Sequence, residues 1–206
     1  MRHDNTALRQ CFDVEIYLPA LAAPASWTAL FGNRNPVELE IGTGRGRFLI
    51  DAAGKYPDVN FLGVEVSLKW MRVAKGRIEE AGLTNIRLAR TEAAHFFDRY
   101  VPSGSLRAVH CYFPDPWPKR RHAKRRLFRW EMGNRFARCL APGGRILVAT
   151  DQDDYFNQIL GVLDEETAFR RLFTGTVSIS TLPRTHFEEK YLAEGRSIHR
   201  AEFHRA

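Results

Sequence analysis

The sequence predicts an α/β fold built on a doubly wound, mostly parallel sheet, and three observations predict it. Apolar strand-like runs alternate with helix-like stretches along most of the chain. A glycine-rich loop, Gly42-Thr43-Gly44-Arg45-Gly46, follows the first run directly. Acidic residues recur near the ends of successive strands, where a sheet of this kind binds its ligands.

Taken in order, the strands are 37–41, 60–66, 85–89, 106–113 and 144–150, the last entered through the turn at Gly143-Gly144. Helices are expected over 47–55, over 67–81 with Ser67 as its cap, and from about 125 to 140. Runs 176–180 and 197–203 have no helix between them, which predicts an antiparallel pair at one sheet edge. Residues 1–35 are weakly patterned and are expected to form a short helix or a mobile arm, with the apolar stretch 18–31 available to cover a partner. Residues 36–206 then form one domain. A length of 206 residues is enough for one such domain with a real core.

Hydrophobic residues make up 44% and charged residues 27%, and no apolar run approaches the roughly 20 residues of a membrane span. The N-terminus lacks the apolar core of an export signal. Cys11, Cys111 and Cys139 have no CxxC spacing, so neither a disulfide framework nor a metal site is expected, and a reducing cytoplasm fits.

The net charge of +7 is local. Seven basic residues and no acidic one lie in 119–129, and removing them leaves 24 basic against 24 acidic residues. Such a patch suits a polyanion, although taken alone it equally fits a solvated helix face.

In the glycine loop the pattern is E-x-G-x-G-x-G, with Glu40 two residues before Gly42. A dinucleotide fingerprint places its third glycine one position later. A carboxylate here suits a cationic, amino-acid-bearing ligand better than a pyrophosphate. Glu65 ends the second strand, where it can accept ribose hydroxyls, and Glu92 follows the third near the expected adenine. S-adenosylmethionine fits this set, with Gly42 and Gly44 letting it lie against the main chain. A nicotinamide oxidoreductase is disfavoured by the glycine spacing and by the lack of a Tyr/Lys or His/Asp set at the strand ends. The fourth strand runs into Phe113-Pro114-Asp115-Pro116-Trp117-Pro118-Lys119, a proline-stiffened loop leading straight into the basic run. Trp117 could stack on a base, but packing of its own loop is the favoured reading.

The stretch PDPWPKRRHAKRRL (114–127) resembles the signature of the bacterial tRNA (guanine-N7-)-methyltransferase family. EIGTGRG, GVEVS, NIRLARTEA, the Ala149-Thr150-Asp151 strand end and Thr185-His186-Phe187-Glu188 follow in that family's order, over about residues 37–203. The resemblance implies a Rossmann-like class I methyltransferase fold with seven strands. It also implies methyl transfer from S-adenosylmethionine to N7 of a tRNA guanine, the variable-loop guanine at tRNA position forty-six.

By the same resemblance Glu40, Glu65, Glu92 and Asp115 contact the cofactor, and Asp115 stands at the reaction centre. Lys119, Asp151 and the segment from Thr185 to Glu188 bind tRNA. Read from the basic run itself, Lys119 and Arg125 are expected to contact phosphate or the target nucleotide, and the other arginines to steer tRNA generally. Residues 189–195 match the family loosely. Thr185 and Glu188 taken alone also fit a helix capping box. Guanine N7 carries a lone pair and no proton, so the reaction needs orientation and a carboxylate near the developing positive charge, not a strong base. Asp115 is assigned that role, with Asp151 as a second candidate. A non-catalytic RNA-binding protein on an old cofactor fold is the alternative, and monomer and homodimer both stay open.

Overall fold

A computed structural model describes residues 13–176 and 183–206. Backbone contacts divide the chain into two compact units, meeting at Pro102/Ser103. The α/β class is as expected, with seven strands in a mixed sheet among the described residues.

The first unit holds β1 (Val37–Ile41), β2 (Asn60–Glu65) and β3 (Ile86–Arg90), all parallel, with β2 in the middle. All six residues of β2 are buried, as a parallel strand covered on both faces requires. Around the strands run α1 (Trp27–Phe31), α2 (Arg47–Lys55), α3 (Leu68–Glu80) and α4 (Ala93–Arg99). α2 buries Phe48, Leu49, Ala52 and Ala53, and α3 buries Met71, Ala74 and Ile78, one face each of a 3.6-residue period. Ser67 caps α3 by accepting the Trp70 N–H at 3.4 Å, as the sequence predicted. α4 was not anticipated.

The described part of the N-terminal segment is tied down. The Ile16 N–H donates to the Leu88 carbonyl at 2.8 Å, and the Leu88 N–H returns to Val14 at 2.7 Å. Lys75 holds Asp13 at 3.3 Å and Glu15 at 3.4 Å. Leu30 and Phe31 are buried in this unit's own core, so that part of the 18–31 stretch serves the chain itself and is not left for a partner. Cys11 lies outside the described residues.

The second unit holds β4 (Leu106–Tyr112), β5 (Leu140–Thr150), β6 (Phe169–Gly175) and β7 (His199–Arg205), in the order β4-β5-β7-β6. β4 and β5 are parallel, while β7 is antiparallel to both neighbours, giving the antiparallel edge that was expected. The described strand paired with β7 there is 169–175; of the expected run 176–180, residues 177–180 lie outside the described residues. β6 is an edge strand with most side chains exposed and a register shift at Arg171/Phe173, so no apolar alternation announces it.

Helices α5 (Trp130–Cys139), α6 (Asp153–Asp164) and α7 (His186–Ala193) complete this unit; α6 was not anticipated, and α7 lies between β6 and β7, where no helix was expected. α5 starts five residues later than predicted. The basic run instead forms a short 3-10 helix, Arg120–Arg125. The chain breaks after it to bury Phe128 fully against Phe136 and Tyr155, whose hydroxyl accepts the Phe128 N–H at 3.2 Å. Among the described residues no helix is long and apolar enough to cross a membrane.

Candidate cofactor and tRNA sites

In the first unit the glycine loop leaves β1 at Gly42, whose N–H donates back to the Val64 carbonyl at 2.8 Å. Gly42 (φ 77°) and Gly44 (φ 51°) are left-handed, a conformation that side chains strain. The turn exposes backbone and gathers three of the predicted residues. Glu65 accepts from the Gly44 N–H at 3.0 Å through Oε2 and from the Ser67 N–H at 2.8 Å through Oε1. Each carboxylate oxygen has a second lone pair, so these bonds orient Glu65 without using up its capacity for hydroxyls.

Glu40 is 4% exposed and its Oε2 has no hydrogen-bond partner. Burial, reinforced by the nearby Glu65 charge, pushes its carboxyl well above the usual range. Thr43, absent from the sequence prediction, is 6% exposed and its Oγ1 also lacks a partner. Two orphaned buried oxygens, one at the end of β1 and one in the loop that follows it, are costly unless something with hydrogen-bond donors fills the site. A ligand carrying an ammonium group fits that demand, which is the amino-acid end of S-adenosylmethionine. The isolated signal for Thr43 was its place between the two left-handed glycines. Glu92 precedes α4 as its cap residue, exposed and making no side-chain cap bond.

In the second unit, Asp115 is exposed on the loop that leaves β4. Two non-glycine residues of that loop have positive φ, Phe113 at 51° and Trp117 at 41°. Bulky side chains rarely adopt this region, and such strain persists where the surroundings enforce it. The enforcing contacts are visible. The Phe113 N–H donates to the Ala149 carbonyl at 2.7 Å, and Arg126 Nε donates to the Pro116 carbonyl at 2.6 Å. Arg126 also binds Gln158 Oε1 at 2.5 Å and lies over the Tyr155 ring, 5.0 Å from its centroid. It is therefore a brace for the loop, and its expected place among the tRNA-steering arginines is corrected.

Arg125 stacks on Trp117 at 4.9 Å and His122 meets the same ring edge-on at 5.8 Å. Trp117 thus packs its own loop, the favoured reading. Lys119, Arg121, Lys124 and Arg125 are exposed along this face.

Asp151 lies just past β5. Its Oδ2 accepts from Arg196 Nη1 at 2.8 Å and from Gln152 Nε2 at 2.9 Å. Thr185 caps α7 by accepting the Glu188 N–H at 3.1 Å, the first half of a capping box, while the Glu188 carboxylate turns to Arg200 and leaves the reciprocal half unmade. Glu188 is buried and paired with Arg200, and Arg184 stands 4.0 Å away. Both side chains are engaged by the fold itself. The neighbouring aromatic residues are more available: Phe187 is half exposed and clusters with Phe113 and Tyr191. Among the described residues no group of three or more His, Cys, Asp or Glu could hold a metal ion.

Comparison with known proteins agrees with this chemistry. The family model described as "Putative methyltransferase" matches residues 34–201. A tRNA (guanine-N(7)-)-methyltransferase of Syntrophotalea carbinolica is 36% identical over 87% of this chain and 78% of its own. The enzyme of the same name from Bordetella pertussis is 38% identical over 92% of this chain and 75% of its own. Among solved structures, the 16S rRNA methyltransferase KamB matches with a TM-score of 0.63 at 14% identity, covering 85% of this chain and 90% of that one. At that identity the likeness speaks for the fold alone, that of the class I methyltransferases.

Proposed function

The chain belongs to the tRNA (guanine-N(7)-)-methyltransferase family, and from that premise we infer that it transfers a methyl group from S-adenosylmethionine to N7 of a guanine in tRNA, the variable-loop guanine at position forty-six. One observation of geometry carries the substrate half. The loop bearing Asp115 is held in a strained form and continues without interruption into an exposed basic helix.

S-adenosylmethionine supplies an electrophilic methyl group on its sulfonium. Glu40, Glu65, Glu92 and the Gly42-to-Gly44 backbone are the residues that would hold it, Glu40 toward the ammonium and Glu65 toward the ribose. Asp115 faces the purine and stabilises the positive charge that N7 acquires, in a loop whose rigidity fixes the approach. No strong base is required, because N7 has no proton to lose. Lys119 and Arg125 contact phosphate. Asp151 accepts from the donor edge of the target base. Thr185 and Glu188 shape α7 so that Phe187 is presented to the substrate. One chain carries every residue named, so a monomer suffices, and a tRNA substrate implies work in the cytoplasm.

The test is transfer of labelled methyl from S-adenosylmethionine to unmodified bulk tRNA, followed by nucleoside analysis. Labelled 7-methylguanosine is the expected product. Unlabelled tRNA, with S-adenosylhomocysteine still raising the melting temperature, would remove the substrate reading and leave the cofactor reading standing.

A further inference from the structure

Arg196 follows α7, one residue past the 189–195 segment that matches the family loosely, and its surroundings are well defined for a surface arginine. Nη1 donates to Asp151 Oδ2 at 2.8 Å, and Nη2 meets Glu194 Oε2 at 2.7 Å. The guanidinium lies over Tyr191, 4.3 Å from the ring centroid. Tyr191 in turn meets Phe113 edge-on at 5.4 Å. The cation is thus held by two carboxylates and a ring, and the ring leans on the first strained residue of the Asp115 loop.

Asp151 itself is the reason such a clamp matters. Its side chain is 8% exposed. A nearly buried carboxylate facing a polyanion is unfavourable, because the phosphates of a bound RNA repel it and disfavour its ionised form. A guanidinium on Oδ2 offsets that charge. It also fixes the plane of the carboxylate, since the planar fork of arginine sets geometry as an ammonium does not. Oδ2 is engaged twice, by Arg196 and Gln152, so Oδ1 is the oxygen left to take the N–H groups of a guanine edge.

We propose that Arg196, seated on Tyr191, is the positioning residue for Asp151, presenting Oδ1 to the target base and compensating the carboxylate's charge beside RNA. This rests on the methyl-transfer reading above.

The experiment is steady-state kinetics on the full chain with unmodified tRNA, for R196A, R196K, D151N and D151N/R196A. Each variant is accompanied by its melting temperature and its affinity for S-adenosylhomocysteine. R196A should raise the KM for tRNA about tenfold, the size expected for loss of a charge-assisted bond. Its affinity for S-adenosylhomocysteine and its melting temperature should stay near those of the natural protein. R196K should recover part of the loss. D151N/R196A should be no worse than D151N alone, because both changes act through one carboxylate. An unchanged KM in R196A would overturn the proposal. So would losses that add in the double variant, or a defect that follows melting temperature and cofactor affinity together. If the natural chain itself leaves tRNA unmethylated, the failure belongs to the functional reading and not to Arg196.

Discussion

Gly63 stands opposite Glu40 in the β1/β2 register, and its missing side chain is what gives Thr43 its place. Register neighbours share a sheet face. A Cβ on Gly63 would lie 2.6 Å from Thr43 Cγ2, 2.6 Å from Leu88 Cδ2 and 2.7 Å from Leu49 Cδ1. Thr43 and Glu40 therefore lie over the same patch of sheet, one strand apart, with their unpartnered oxygens beside the glycine loop. Gly63→Ala should cost about 1–3 kcal/mol through overpacking and weaken S-adenosylhomocysteine binding as Thr43 is displaced. Thermal melts and titration calorimetry check both. A variant as stable and as tight-binding as the natural chain would contradict the packing described.

Glu40 is expected to trade stability for binding. Its carboxyl is held well above its ordinary range by burial and then by Glu65. A raised folded-state value means the folded form keeps its proton longer than the unfolded one. The stabilising effect of that proton is fully present below the ordinary carboxylate range and is lost as pH rises through the raised value. Glu40→Gln removes the titration. The ligand-free variant should match the natural protein at pH 5 and exceed it at pH 8, by about 1–3 kcal/mol, while losing affinity for S-adenosylhomocysteine. Melting curves at the two pH values decide it, and a gap that shrinks at pH 8 would reverse the argument.

Neighbouring arginines should behave differently. Arg125→Ala removes an exposed cation from the basic face and should lower tRNA affinity and flatten its salt dependence by about one unit of slope. Arg126→Ala removes the brace on Pro116 and Gln158. It should destabilise the protein by about 1–3 kcal/mol and slow methyl transfer even at saturating tRNA. Filter binding across salt concentrations, with melts alongside, separates the two.

Asp115→Ala should abolish methyl transfer and leave the fold intact, because the side chain is exposed and no packing depends on it. Retained turnover with an unchanged melting temperature would remove Asp115 from the reaction centre.

Thr185→Ala deletes the α7 cap and should cost about 1 kcal/mol. If Thr185 only shapes the helix, Thr185→Ser restores both stability and activity. Restored stability with lost activity would point to a direct substrate contact.

The parallel strands of the first unit were readable because burial on both faces writes short runs without polar alternation, as in Phe61-Leu62-Gly63-Val64. Glycines at the turn after β1 and acidic residues at the strand ends were readable because their spacing is local. β6 was not, since an exposed edge strand such as Phe169–Gly175 needs no pattern. The late start of α5 was hidden too. It depends on Phe128 finding Tyr155, 27 residues away. The same limit separates Thr185 from Glu188: the cap between them is a three-residue relation visible in sequence, whereas the pairing of Glu188 with Arg200 arises from the way β7 returns past α7. Arg196 and Arg126 carried no distinguishing local pattern, and only their partners reveal what they do.

The positive φ angles at Phe113 and Trp117 have an evolutionary corollary. Glycine at either position would relax the backbone, by about 1–3 kcal/mol where the strain is fully felt, so a screen for heat resistance would tend to collect such changes. It would be collecting slack at the same time, for the loop would then wander through orientations that the natural chain forbids. Heat-tolerant relatives of this protein should accordingly have gained their tolerance elsewhere, in the edge strand or the surface of α5, and have kept this one uncomfortable turn.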